Sequence, residues 1–313
     1  MDSKNSFSII GSSKTKSTVE KIAQLIFIAC AFFAVVMVAA ITIYMIINGT
    51  PALMKIGVKE VLFSPIWKPA AAEPSFGILY VIITSIVGTA AAIVLGVPIG
   101  VLTAVFLAEV ATPRVAAIVK PAVELLAGIP SVVYGLIGIL IFNPFMYKIE
   151  LEIFENSSTH QFTGGSNLIS AVLVLAIMIL PTVINISESA LKAVPAHHKQ
   201  ASLALGATHI QTIFKVIIPG AKSGIITAIV LGVGRAIGEA MAISLVSGSL
   251  VNIPLPFNSV RFLTTAIVSE MGYASGLHRQ TLFTIGLVLF AFIMTINYAL
   301  MKILKKGDKA NGK

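Results

Sequence analysis

Two ionisable residues stand inside one of the most apolar stretches of the chain. Arg235 and Glu239 lie in Ser223 to Val246, which reads SGIITAIVLGVGRAIGEAMAISLV. In one continuous helix they are four residues apart and share a face. An arginine or an acidic residue at the centre of a membrane helix costs about 2.5–3.5 kcal/mol on insertion scales. Local helix support does not explain the pair, because Arg ahead of Glu is the weaker order at this spacing. Two uses remain open. The pair can line a polar pathway, with Arg235 as a permanent positive charge for a passing anion and Glu239 as its counter-charge. It can also pin two helices together. The surroundings are small: Gly224, Ala228, Gly232, Ala236 and Ala240 recur every fourth residue, and Gly234 and Gly238 form a small-x-x-x-small pair continued by Ala242. Such faces admit a close neighbouring backbone, which suits a subunit interface or a pathway wall.

A second stretch, Val194 to Ala221, is polar and lies between apolar runs. It reads as two short helices joined at Gly206. The first covers about Ala196 to Leu205, and glycine at 206 takes a positive φ without strain. Thr208 is placed to N-cap the second, with Gln211 at the capping-box spacing. Ile210, Ile213, Phe214 and Ile217 fall on one face of it, with Gln211 and Lys215 off that face. Pro219 marks where the chain is expected to turn back.

The elements that must hold these stretches are membrane spans. The 313 residues are 57% hydrophobic and 11% charged, whereas soluble domains carry about 25% charged residues. The single cysteine, Cys30, excludes an intrachain disulfide. No Cys/His cluster has metal-ligand spacing, so no metal site is expected. The net charge of +9 does not require nucleic acid, because its distribution follows membrane orientation. In order, the chain gives a polar tail (1–21), a span over Ile22 to Ile47, an extracytoplasmic segment with Trp67, and a long apolar stretch from Phe76 to Leu107 interrupted at Gly96, Pro98 and Gly100. A third span is expected over Pro121 to Phe142, an external loop over Asn143 to Asn167, and a fourth span over Leu168 to Ile186. The fifth is Ser223 to Val246. An outer segment, apolar at Phe262 to Val268, leads to the sixth, Thr281 to Leu304, and to a tail (305–313). Fifteen of the 22 Lys and Arg fall on one side of this arrangement and six on the other, with Arg235 alone inside a span. The positive-inside rule then makes both termini and the 194–221 loop cytoplasmic. Gly220-Ala221-Lys222-Ser223 ends like a phosphate-binding loop but lacks its glycines, so no Walker site is present.

The Val194–Ala221 stretch resembles the EAA loop of ABC-importer permeases. The family's Glu-Ala-Ala is Gln200-Ala201-Ser202 here, followed by Gly206 and by Ile217-Ile218-Pro219. Gln200 departs from the family Glu and removes one charge. RAIGEAMA, Arg235 to Ala242, is similar to the Arg-Ala-Ile-Gly-Glu-Thr-Met-Ala run of phosphate-specific importer permeases, with Ala240 in place of Thr. AGIPSVVYG (127–135), QASLALGAT (200–208) and Trp67-Lys68-Pro69 are also similar to that family, and Trp67-Lys68-Pro69 with the N-terminal span resembles its C-type member. The resemblance extends from about residue 60 to the sixth span. It implies an all-α integral membrane protein with about six transmembrane helices and the type I ABC importer permease fold. It implies a non-catalytic subunit of the bacterial or archaeal cytoplasmic membrane, importing inorganic phosphate. Arg235 and Glu239 would belong to the translocation pathway. Gln200, Ala201, Gly206 and Pro219 would belong to the loop that couples to the ATPase. The implied partners are a second homologous permease, two copies of an ABC ATPase that bind ATP and Mg, and an extracytoplasmic phosphate-binding protein. Molybdate, sulfate and an ion-gradient-driven transporter are the alternatives. Among weaker motifs, His197-His198 reads as solvated or at the ATPase contact, Glu124 and Glu188 as interfacial carboxylates, and Pro130 and Pro181 as bends.

Overall fold

The computed structural model describes residues 14–310, with side chains described for 19–299, 301 and 302. The first and last residues of the expected tails, 1–13 and 311–313, lie outside the described residues. The chain divides into two compact units at Asn48–Gly49, within the permease domain expected over 22–304. The first unit carries most of helix α1 (Lys14–Ile56). This helix is apolar on all sides, and its large side chains such as Phe27 and Phe32 are exposed. That pattern suits a helix surrounded by lipid rather than by a core. It begins before Lys21 and ends after Ile47, so parts of the expected tail and external segment are helical.

The second unit is mostly helical. Its elements are α2 (Val58–Phe63), a two-residue hairpin of β1 (Trp67–Lys68) and β2 (Ser75–Phe76), α3 (Leu79–Val105), α4 (Pro113–Gly128), α5 (Ser131–Ile137), α6 (Asn143–Phe154), α7 (Leu168–Lys192), α8 (Ala196–Ala204), α9 (His209–Thr212), α10 (Ile218–Gly220), α11 (Lys222–Gly238), α12 (Met241–Val246), α13 (Leu263–Glu270) and α14 (Gly276–Ala310). The hairpin is antiparallel, with Trp67 opposite Phe76. Single π-helical turns extend α3 over Phe106–Val110, join α5 to α6 over Gly138–Phe142, and join α9 to α10 over Ile213–Ile217.

The centre of the unit is α7 against α3. Gly88, Ala92, Gly96, Gly100 and Ala104 form a buried stripe along α3. A Cβ on Gly96 would sit 2.7 Å from Ile179 Cδ1 and 2.9 Å from the Ala176 carbonyl oxygen. In a bilayer the lipid tails are as apolar as the side chains, so close packing of small residues replaces the hydrophobic drive. Those glycines therefore set an approach distance, and the helix runs through Pro98 unbroken. The stripe on α11 serves the same end. Ala228 and Ala236 are buried, and a Cβ on Gly232 would meet Val183 Cγ2 at 3.0 Å.

Among the described residues five helices are long and apolar enough to cross a membrane, and there is a sixth span if the bent pair His209–Gly220 and Lys222–Gly238 is taken as one. Two expected spans differ. The third is Ser131–Phe154 rather than Pro121–Phe142, because α4 ends at Gly128 and the chain breaks at Ile129–Pro130. Pro144 does not begin a loop. It lies inside the continuous 131–154 helix directly after the π-helical turn Gly138–Phe142, the kind of local adjustment by which a membrane helix accommodates a proline. The fifth span is not one helix to Val246 but ends at Gly238.

Candidate functional site

The break after Gly238 changes what Arg235 and Glu239 do. Glu239 is extended, with φ −72° and ψ 129°, and Ala240 leads into α12. The two residues therefore do not share a helix face, as one continuous helix would require. Arg235 lies in the last turn of α11, and the Glu239 carboxylate caps α12 by accepting from the Ala242 N–H at 3.0 Å. Both charges now sit at favourable ends of helix dipoles, cation at a C-terminus and anion at an N-terminus, each worth roughly 0.3–1 kcal/mol. The order that is weak within one helix is the stabilising order across a break.

Arg235 is half-buried, and its Nη1 donates to Thr182 Oγ1 of α7 at 3.4 Å. Among the described residues no carboxylate lies within 4.0 Å of its guanidinium. Beside it, Gly234 and Gly238 are exposed, and a Cβ built on either meets nothing within 4 Å. The second small-residue face is thus open, while the first is filled by α7.

Residues from both of the long sequence motifs meet at this break. Tyr134 and Gly135 of α5 pack on α12. A Cβ on Gly135 would lie 2.7 Å from Leu245 Cδ1 and 3.0 Å from Ala242 Cα. Tyr134 joins Ala236 and Ala242 in one buried cluster, and its hydroxyl donates to the Leu126 carbonyl at 2.7 Å, spanning the break between α4 and α5.

The loop between α7 and α11 follows the local chemistry of its sequence. Gly206 has φ +86°. Thr208 and Gln211 form a reciprocal capping box, with Gln211 N donating to Thr208 Oγ1 at 3.2 Å and Thr208 N to Gln211 Oε1 at 3.0 Å. The expected apolar face divides in two. Ile213 and Ile217 are buried, whereas Ile210 and Phe214 are 69% and 55% exposed, beside Leu205 at 90%. Gln200, Ala201 and Pro219 are also exposed. Pro219 lies in the first turn of α10 and does not reverse the chain, which bends by 69° around Ala221 instead. Lys199 pairs with Glu109, and His209 Nε2 lies 3.1 Å from the Glu109 carbonyl oxygen, so the loop is tied to the end of α3. Glu188 is buried with Lys192 at 2.6 Å and Lys120 at 3.6 Å, while Glu124 is exposed.

Two carboxylate sites are not marked by any local pattern. Glu150, expected in a loop, is fully buried on α6. It accepts from Thr163 N at 2.9 Å and lies 2.8 Å from His160 Nε2, which organises the 157–166 loop. Glu270 accepts from Arg261 Nη1 and from Trp67 Nε1, and His278 Nε2 lies 2.7 Å from it. These partners are 8 to 203 residues away in sequence, so spacing alone gives no signal.

Comparison with known proteins agrees with this architecture. The pattern of the family described as "Binding-protein-dependent transport system inner membrane component" matches residues 96–307. The chain is 36% identical to the probable ABC transporter permease protein YqgH of Bacillus subtilis, over 93% of this chain and 94% of the relative. It is 32% identical to the phosphate transport system permease protein PstC of Pasteurella multocida, over 88% of each chain. An inward-facing structure of the MetNI methionine ABC transporter superposes with a TM-score of 0.50 at 20% identity, over 74% of this chain and 94% of that one. At that identity the likeness concerns the fold alone, the type I importer permease fold. The chain is a multi-pass membrane protein and belongs to the family of inner membrane components of binding-protein-dependent transport systems, the ABC importer permeases.

Proposed function

We propose that this chain is the permease subunit of an ATP-driven importer of inorganic phosphate, and that Arg235 is the charge a passing oxyanion meets. The observation that carries this reading is a guanidinium with no carboxylate within 4.0 Å among the described residues, beside a helix break and an open glycine face. A buried cation without a counter-ion is costly unless a partner or a substrate compensates it. Discontinuous membrane helices place ion and substrate sites at such breaks. The similarity to permeases named for phosphate supports the choice of anion.

On this reading the chain makes and breaks no covalent bond. A partner ATPase, in two copies, binds ATP and Mg and seats on the loop carrying Gln200, Ala201, Gly206 and Pro219, where Leu205, Ile210 and Phe214 present apolar surface. A second permease covers the Gly234–Gly238 face, and Arg235 and Glu239 line the gap between the two. A phosphate-binding protein delivers the anion from outside. Both termini are cytoplasmic, following the asymmetry of Lys and Arg.

The test is uptake of labelled phosphate by cells carrying the complete set of subunits, with sulfate and molybdate as competitors. Expected is uptake that stops on ATP depletion, survives an uncoupler while ATP is maintained, and resists both competitors. Uptake that survives ATP depletion but collapses with an uncoupler overturns the ATP-driven reading. Strong competition by sulfate or molybdate overturns the choice of phosphate.

A further inference from the structure

The helix break that presents Arg235 is held by an element far from it in sequence. Leaving the helix frees the Glu239 carbonyl, and an unsatisfied carbonyl inside a membrane costs several kcal/mol. Thr264 Oγ1, on α13, donates to it at 2.7 Å. The eight-residue α13 is itself fixed at both ends. At its start, the Leu263 N–H donates to Ser85 Oγ of α3 at 2.8 Å, and the Phe262 N–H donates to Thr265 Oγ1 at 2.9 Å. At its finish stands Glu270, buried and held from three directions. Trp67 Nε1 lies 3.2 Å from both carboxylate oxygens. Arg261 Nη1 donates to Oε1, and His278 Nε2 lies 2.7 Å from Oε2. Arg261 Nε also donates to the carbonyl of Ser249, a non-glycine residue at φ +62°. The hairpin that carries Trp67 is therefore connected through Glu270, α13 and Thr264 to the joint four residues after Arg235.

We propose that α13 is a strut that sets the Glu239 joint, and that Thr264 and Glu270 are positioning residues for the pathway charge at Arg235. Thr264 supplies the donor without which the joint cannot leave the helix. Glu270 keeps Thr264 in place by anchoring the far end of α13. The strut rests on the reading of Arg235 as a pathway residue, but it makes a structural statement that can be tested separately.

The experiment uses the complete transporter in a Cys30→Ser background. Uptake is measured for Thr264→Val, Thr264→Ser and Glu270→Gln together with membrane abundance. In parallel variants Met241→Cys, at the first residue of α12 and half exposed, reports the joint through its rate of thiol labelling. Thr264→Val keeps the volume and removes the donor. It is expected to lower the maximal uptake rate about tenfold, the scale of one lost buried hydrogen bond, with half-saturation unchanged and the reporter labelling rate altered. Thr264→Ser restores both, and Glu270→Gln moves both in the same direction as Thr264→Val. Wild-type uptake and labelling in Thr264→Val overturns the strut. So does loss of Thr264→Val from the membrane, because the contact would then serve folding rather than position. Normal uptake in Arg235→Gln defeats the pathway reading and leaves the labelling result to decide the strut alone.

Discussion

Arg235 and Arg261 are the same side chain in two settings. Arg261 is mostly buried and pairs with the Glu270 carboxylate, with Trp67 and His278 sharing that carboxylate. Arg235 is half-buried at a helix break and finds one threonine hydroxyl and no carboxylate within 4.0 Å among the described residues. In the first arrangement the charge is paired: Arg261 meets the Glu270 carboxylate and also donates to the Ser249 carbonyl. The second is incomplete, with a permanent charge that lacks a carboxylate beside the open Gly234 and Gly238 positions. The difference separates a charge that holds the fold from one that the fold holds out.

The largest expected effect breaks this comparison at its functional end. Arg235→Gln reduces uptake to background while the protein stays in the membrane at normal level, measured by labelled-phosphate uptake beside an immunoblot. Arg261→Gln is expected to act on stability instead. It takes the arginine from the buried Glu270 carboxylate and leaves it Trp67 and His278, and breaking a buried pair costs up to about 3–5 kcal/mol, read as a lowered unfolding temperature of the detergent-purified complex. If Arg261→Gln leaves that temperature unchanged, the cluster around Glu270 does not hold the fold.

Gly206→Val probes the loop rather than either arginine. A β-branched residue at φ +86° is strained by roughly 1–3 kcal/mol. Membrane insertion is expected to persist while transport-coupled ATP hydrolysis falls. Normal coupled hydrolysis in this variant identifies the loop as a passive linker. The smallest effect is expected from Glu239→Gln. The amide still accepts from Ala242 and loses only the charge–dipole part of the cap, roughly 0.3–1 kcal/mol. Uptake should fall a few-fold at most. Complete loss at normal abundance would show that the Glu239 charge acts on the anion directly.

What could be read from the sequence was local. Gly206, Thr208 and Gln211 announce their turn and capping box because each acts on backbone within three residues of itself. The start of α7 at Leu168 is equally plain, with Asn167 accepting from Ser170 N at 3.1 Å. The break at Glu239 is hard to read locally because RAIGEAMA is built mostly from residues that suit a helix, and the carbonyl freed at the break finds its donor in Thr264, 25 residues away. The same holds for Glu270, whose partners come from the hairpin, the segment before α13 and the start of α14. The bounds of the third span differ from the expectation because Pro130 breaks a helix while Pro144 is carried inside one, and a proline's type does not say which. The role of the small residues on α3 was missed as well. Gly96 and Gly100 look like interruptions in sequence but are positions where a Cβ would clash with Ile179 and Val183 of α7.

On the proposed reading the pathway requires a positive charge at position 235. Its most direct test is chemical restoration in the complete transporter with Cys30→Ser and Arg235→Cys. The double variant should insert normally and take up no phosphate. Modification with a thiol reagent that adds a short ammonium group should restore part of the uptake, while a neutral reagent of similar size should restore none. Normal uptake before modification, equal rescue by both reagents, or no rescue at confirmed full modification by the ammonium reagent would contradict the claim.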